Sequence, residues 1–192
     1  MVFASIRYNL ARLFEFSGRE SRALFWPYAI AVFLAGAVAG IILMVPVLMD
    51  MMNRIVAYLQ KHPEGLPQPQ PGQPAALPPE LMPDFGVLLM PTAMLGLVSL
   101  FLWTAAVVRR LHDCDRSGWW GLLPVPFQLA GALVGPAAMR AMMDLGAAPS
   151  ALTLLSALNS LAYWVAFIAL VVILAGEGMP GSNRFGDAAA GP

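Results

Sequence analysis

Arg109-Arg110-Leu111-His112-Asp113-Cys114-Asp115-Arg116-Ser117-Gly118-Trp119-Trp120 sets three arginines, two aspartates and a histidine within twelve residues. Charged residues make up only 11% of this 192-residue chain. Uncharged, largely apolar runs lie on either side of the cluster, over residues 85–108 and 117–139. A charged side chain close to hydrocarbon is costly and is retained where it has partners or a task. The cluster therefore marks the place where one membrane-spanning helix leaves the bilayer and the next enters it.

Composition points the same way. Hydrophobic residues reach 59% and the mean hydropathy is +0.70, whereas soluble domains carry about 25% charge. The formal net charge is zero, so no overall field favours nucleic acid as a partner. A single cysteine, Cys114, excludes an internal disulfide and a multi-cysteine metal site.

Four runs without charge, 24–49, 85–108, 117–139 and 145–176, are long enough for the roughly 20 residues that a spanning helix needs. The fourth trims to 151–175, with Ser150 as its N-cap. The third contains Pro124, Pro126 and Pro136 and is expected to kink or re-enter, which is tolerated only where broken backbone is buried or meets water. Ala37-Val38-Ala39 resembles a cleavage site, but the apolar run continues past it, so the first span is not read as a signal peptide. Eight of the eleven basic residues fall on the side that holds residues 1–23, the 109–116 loop and the tail at 177–192. The bias of Arg and Lys toward the inside then predicts both termini in the cytoplasm of a bacterial inner (plasma) membrane protein.

The arm at 1–16 repeats Phe3, Ile6, Leu10, Leu13 and Phe14 at helical spacing, with Arg7 and Arg12 read as lying off that stripe. It predicts a short amphipathic helix on the inner leaflet or against the bundle. Ser17-Gly18-Arg19-Glu20 fits a capping box opening the first span. Residues 50–84, rich in proline, predict an extended external spacer, with a helical turn or two over 51–60. Gly36 and Gly40 form a small-xxx-small pair suited to close helix packing, within the chain or between copies.

Three polar motifs follow one another. They are Gly18-Arg19-Glu20-Ser21-Arg22 leading into Phe25-Trp26, the 109–120 cluster, and Pro180-Gly181-Ser182-Asn183-Arg184-Phe185-Gly186. In that order they resemble the bacterial inner-membrane family known as domain of unknown function 805, the YhaH-like proteins, over nearly the whole chain. The resemblance implies a small multi-span inner-membrane protein with no assigned activity, and it carries over no catalytic residue. Trp120 and Asn183 stand 63 positions apart, a longer separation than the family usually shows and room for two crossings.

Each functional reading has a structural counterpart. His112-Asp113 suggests a metal site, but the other histidine, His62, sits in the opposite loop, so no metal or other cofactor is expected. Cys114 suggests a nucleophile, yet two flanking aspartates disfavour a thiolate. The segment 178–186 is glycine-rich but follows a helix instead of opening one, so it is not a phosphate loop. The structural reading is an ion-pair knot, with Arg110 and Asp113 on one helix face and Asp115 tied to Arg116. Arg19, Arg22 or Arg184 would reach the remaining carboxylate, and Trp26, Trp119 and Trp120 would anchor helix ends at headgroup level.

The functional reading is a pocket for an anionic headgroup, lined by Arg19, Arg22, Arg109, Arg110, Arg116 and Arg184, with His112 as a pH-sensitive member. The expected fold is an all-α polytopic membrane protein with four transmembrane helices and a short N-terminal interfacial helix. The expected role is that of a non-enzymatic structural or interaction protein. Its partners would be the bilayer, anionic phospholipid, and a second copy or another membrane protein. A small transporter or channel subunit is the alternative, weakened by the lack of charge inside the spans. A lipid-modifying enzyme using His112 and Asp113 as acid and base is a further one.

Overall fold

The computed structural model describes residues 2–65, 78–81, 86–143 and 151–189. Much of the proline-rich spacer and the N-cap expected at Ser150 lie outside the described residues. The described residues form five α-helices in order: α1 (Val2–Ala11), α2 (Arg22–Lys61), α3 (Gly86–Asp113), α4 (Val125–Met143) and α5 (Ala151–Ala175). Short 3₁₀ turns sit at Pro79–Leu81 and Gly118–Leu122. Among the described residues there is no strand, only an isolated bridge between Asn183 and Gly186. Among the described residues four helical segments are long and apolar enough to cross a membrane, so the chain is an all-α polytopic membrane protein.

Several boundaries differ from the sequence reading. The arm at 1–16 is helical only to Ala11. The first span does not stop at residue 49: α2 runs 40 residues, about 60 Å at 1.5 Å per residue. Asp50 ends the uncharged window without ending the helix, because Arg54 one turn later donates through Nε to its carboxylate in an i,i+4 pair at 2.7 Å. The second span likewise continues through the charged cluster to Asp113. The third opens with the 3₁₀ turn Gly118–Leu122 and becomes α-helical from Val125, with Pro126 in its first turn where no amide partner is lost.

The cluster at the end of α3 is closed by backbone geometry. Asp115 adopts a left-handed φ of 52°. The Arg116 amide donates to Leu111 O at 2.8 Å and the Asp115 amide to His112 O at 3.1 Å. This is the Schellman pattern that satisfies the last carbonyls of a helix.

Helix pairing is uneven. α2 packs along α3 and α4 along α5, while α3 meets α5 more sparingly. The main apolar cluster joins Phe25, Tyr28, Val32, Ala106, Val107, Leu111, Leu170 and Leu174, where the start of α2 meets the ends of α3 and α5. Farther along the spans Ile41, Leu97 and Leu133 point outward, as lipid-facing side chains do. In the other hairpin the Asn159 Nδ2 donates to Phe127 O at 3.0 Å. Gly131 permits that approach, since a Cβ there would come within 3.2 Å of the amide nitrogen.

Candidate functional site: a buried ion-pair cap

The three motifs meet at one end of the molecule, directly above the apolar cluster. Arg109 and Arg110 are adjacent on α3 and therefore leave it in different directions. Both are fully buried.

Arg109 reaches toward α1 and the segment that follows it. Its Nε donates to Glu20 Oε2 at 2.9 Å, Nη1 donates to Arg12 O at 2.8 Å and Glu15 O at 2.6 Å, and Nη2 donates to Asn9 Oδ1 at 2.6 Å. Asn9 in turn donates through Nδ2 to Glu20 Oε1 at 2.8 Å. Burial pushes the Glu20 carboxyl upward from the usual carboxylate range, and the Arg109 charge opposes that rise.

Arg110 reaches toward α5 and the tail. Its Nε donates to Leu174 O at 2.9 Å, Nη1 donates to Glu20 O at 3.3 Å and to the Asp113 carboxylate, and Nη2 donates to Gly176 O. Asp113 also accepts from Arg19 Nε at 3.0 Å. The remaining Arg19 donors go to the carbonyls of Met179, Gly181 and Gly186. Two guanidinium groups thus share one carboxylate, and their surplus donors hold the tail by its backbone. The tail amide of Met179 completes the seam, donating to Asp113 O at 2.8 Å. Gly178 is required here, because a Cβ would overlap the Asp113 carboxylate.

The remaining expected site residues occupy the periphery. His112 places Nδ1 3.2 Å from Gly18 O and stacks on Phe185, with ring centroids 3.9 Å apart and planes within 5°. Asn183 donates to His112 O at 2.8 Å and accepts from the Phe185 amide at 2.9 Å. Asp115 pairs with Arg184 at 3.2 Å, not with Arg116 as the sequence suggested. The left-handed turn at Asp115 carries Arg116 away, and its guanidinium lies 5.7 Å over the Trp120 ring. Arg22 makes an exposed contact with Glu177 at 3.7 Å. Trp119 and Trp120 are exposed, while Trp26 packs against the apolar cluster and meets Phe25 edge to face at 5.3 Å.

Three further expectations are corrected. The capping box does not form: α2 starts at Arg22 with Ser21 as N-cap and no side-chain cap bond. Glu20 is drawn to Arg109 instead, since a buried guanidinium offers a charge-assisted bond stronger than a neutral cap. A single pocket lined by six arginines is also absent, because Arg19, Arg109 and Arg110 are buried and spend their donors within the protein. Arg7 belongs on the apolar stripe of α1: at about 100° per residue it lies roughly 40° from Phe3.

Sequence reading missed Ser5, Asn9 and Glu20, all buried and polar. A signal existed, because Ser5 and Asn9 are four apart on one face of a helix otherwise rich in apolar residues.

The charged groups of this cap are engaged chiefly with one another and with backbone carbonyls. Burial raises the Cys114 thiol above its usual range, which works against a thiolate nucleophile. Among the described residues, no three His, Cys, Asp or Glu side chains converge as metal ligands would.

The family model described as "Protein of unknown function (DUF805)" matches residues 13–187. Among curated proteins, the "Inner membrane protein YhaH" of Escherichia coli strain K12 is 49% identical over 37 residues, covering 19% of this chain and 31% of the relative. The protein of the same name from Escherichia coli O157:H7 matches to the same extent. The aligned part thus spans under a third of the length of these curated relatives. No solved structure matches. With the match running from before the first motif to the end of the third, the chain belongs to the DUF805 family of inner-membrane proteins of unknown function.

Proposed function

We propose that the protein is a non-enzymatic interaction protein of the inner membrane, with both termini in the cytoplasm. The buried cap fixes its helices. Its outer rim, Arg22, Arg184 and the Arg116 that lies over Trp120, meets anionic phospholipid headgroups.

One observation carries this reading: each buried guanidinium of the cap is engaged by the protein's own carboxylates and carbonyls. Such groups hold structure: Arg19 spends all five of its N–H donors within the protein, and Arg109 and Arg110 spend four of five each. Of the acid–base candidates, Asp113 is shared by Arg19 and Arg110, while the His112 ring is held by its Nδ1 contact with Gly18 O and by stacking on Phe185. The rim arginines remain exposed, and each cation near an anionic leaflet is worth about 1 kcal/mol. Neighbouring tryptophans suit the headgroup level.

Retention of phosphatidylglycerol tests the proposal. The full chain is isolated from mixed phosphatidylcholine and phosphatidylglycerol bilayers, and the bound lipid is quantified by mass spectrometry. The triple variant Arg22→Gln, Arg116→Gln, Arg184→Gln is expected to stay folded and lose several-fold of its phosphatidylglycerol. Unchanged retention overturns the headgroup role. A reporter fused to the C-terminus that is active only in the periplasm should stay silent, and activity there overturns the orientation.

A further inference from the structure

Helix α1 wears its polar side inward. Ser5 and Asn9 are 0% and 1% exposed, whereas Phe3 is 86% and Phe14 78% exposed. The inward side is spoken for: the Ser5 hydroxyl donates to Leu24 O, Asn9 joins the Arg109–Glu20 pair, and Ile6 packs on the apolar cluster. In water this arrangement would be upside down. It makes sense where the outside is apolar.

The depth of this face can be read from α3. Phe14 meets Phe101 edge to face with centroids 5.4 Å apart. Phe101 is an outward-facing residue of the span, eight positions before Arg109, or about 12 Å along the helix axis. Phe14 lies in the turn directly after α1, so that turn links the outward side of α1 to the lipid-facing surface of α3.

A cation lies within that face. Arg7 is exposed and about 40° around the helix from Phe3, with Leu10 about 20° to the other side. Its guanidinium has no ion pair or hydrogen bond among the described residues. No acidic residue shares the face, since Glu15 pairs with Arg12 at 3.4 Å. A long cationic side chain among apolar ones can snorkel to the headgroup layer while its stem stays in hydrocarbon.

We infer that the outward face of α1 and the turn after it form an anionic-phospholipid site, with acyl chains against Phe3 and Leu10 of the helix and Phe14 of the turn, and a lipid phosphate on Arg7. It shares the headgroup chemistry proposed for the cap rim and rests on that reading only for the orientation of the membrane. The residues are distinct, so the two proposals can fail separately.

The test uses the full chain in nanodiscs of phosphatidylcholine and phosphatidylglycerol. A nitroxide is attached at Phe3→Cys in a Cys114→Ser background. Relaxation of the label by oxygen is expected to exceed relaxation by a water-soluble nickel chelate. The opposite order, or dipolar broadening between labels on two copies, overturns the inference. In parallel, Arg7→Gln is expected to retain phosphatidylglycerol about fivefold more weakly, and unchanged retention overturns the assignment of Arg7. If Arg7→Gln weakens retention while the triple rim variant does not, the α1 site stands and the rim reading falls. Displacement of the lipid by inorganic phosphate would mark a soluble-anion site and also overturn the inference.

Discussion

The cap and the spans are built by different rules. In the cap, arginines are fully buried and satisfied side chain by side chain. In the spans, helices meet in two pairs and show much of their apolar surface to the outside. Between helices in lipid there is no hydrophobic driving force, because acyl chains are as apolar as leucine. For α2, α3 and α5 the spans therefore add little to the choice of which helix lies beside which, while α4 meets α5 through the Asn159–Phe127 bond. The cap makes that choice, because a carboxylate removed from water accepts few alternative partners. Glu20 selects Arg109, and Asp113 selects Arg19 and Arg110. These choices tie the entry to α2, the end of α3 and the segment after α5 to one another.

Breaking the cap should therefore cost far more than trimming the spans. The largest effect is expected for Arg110→Ala, which strands part of the Asp113 charge and frees the carbonyls of Leu174 and Gly176. Removing one partner of a buried pair costs about 3–5 kcal/mol, and loss of the protein from the membrane fraction with a lowered unfolding temperature in detergent would register it. Gly178→Ala should come next. Its methyl group must displace either the tail or Asp113, at about 1–3 kcal/mol for overpacking. Faster proteolysis of the tail, with the spans still protected, is the readout. Tyr28→Phe should be smallest. It removes a single bond within the spans, from Tyr28 Oη to Leu102 O at 2.8 Å, worth about 0.6 kcal/mol in a membrane interior. A loss for Tyr28→Phe as large as that for Arg110→Ala would erase the contrast between the two regions.

What was legible in the sequence divides along the same line. Spans are written locally, as runs of apolar residues, so α5 is found at the residues where its pattern begins and ends. Charge limits that signal. Asp50 and Arg109 close an uncharged window, yet α2 and α3 continue through them because the charges find partners on or beside the helix. The arginines and aspartates near the cap were also conspicuous in so apolar a chain, whereas its uncharged members Ser5 and Asn9 were not. Nor was the pairing within the cap legible. Glu20 reads locally as a capping residue, and only the fold reveals Arg109, 89 positions away. Asp115 reads as a partner for its neighbour Arg116 until a left-handed turn directs it to Arg184. The inward polar face of α1 was hidden for a different reason: its amphipathic pattern has two docking solutions, and the choice depends on whether its surroundings are water or lipid.

The central claim is that specific charge pairing in the cap holds this helix arrangement together. A double-mutant cycle between Arg109 and Glu20, using Arg109→Met and Glu20→Gln with unfolding measured for the full chain in bicelles, tests it most directly. The double variant is expected to lose less stability than the two single losses combined, by a coupling of about 1.5–3 kcal/mol. Additive losses would show that the pair contributes nothing beyond its separate side chains and would contradict the account.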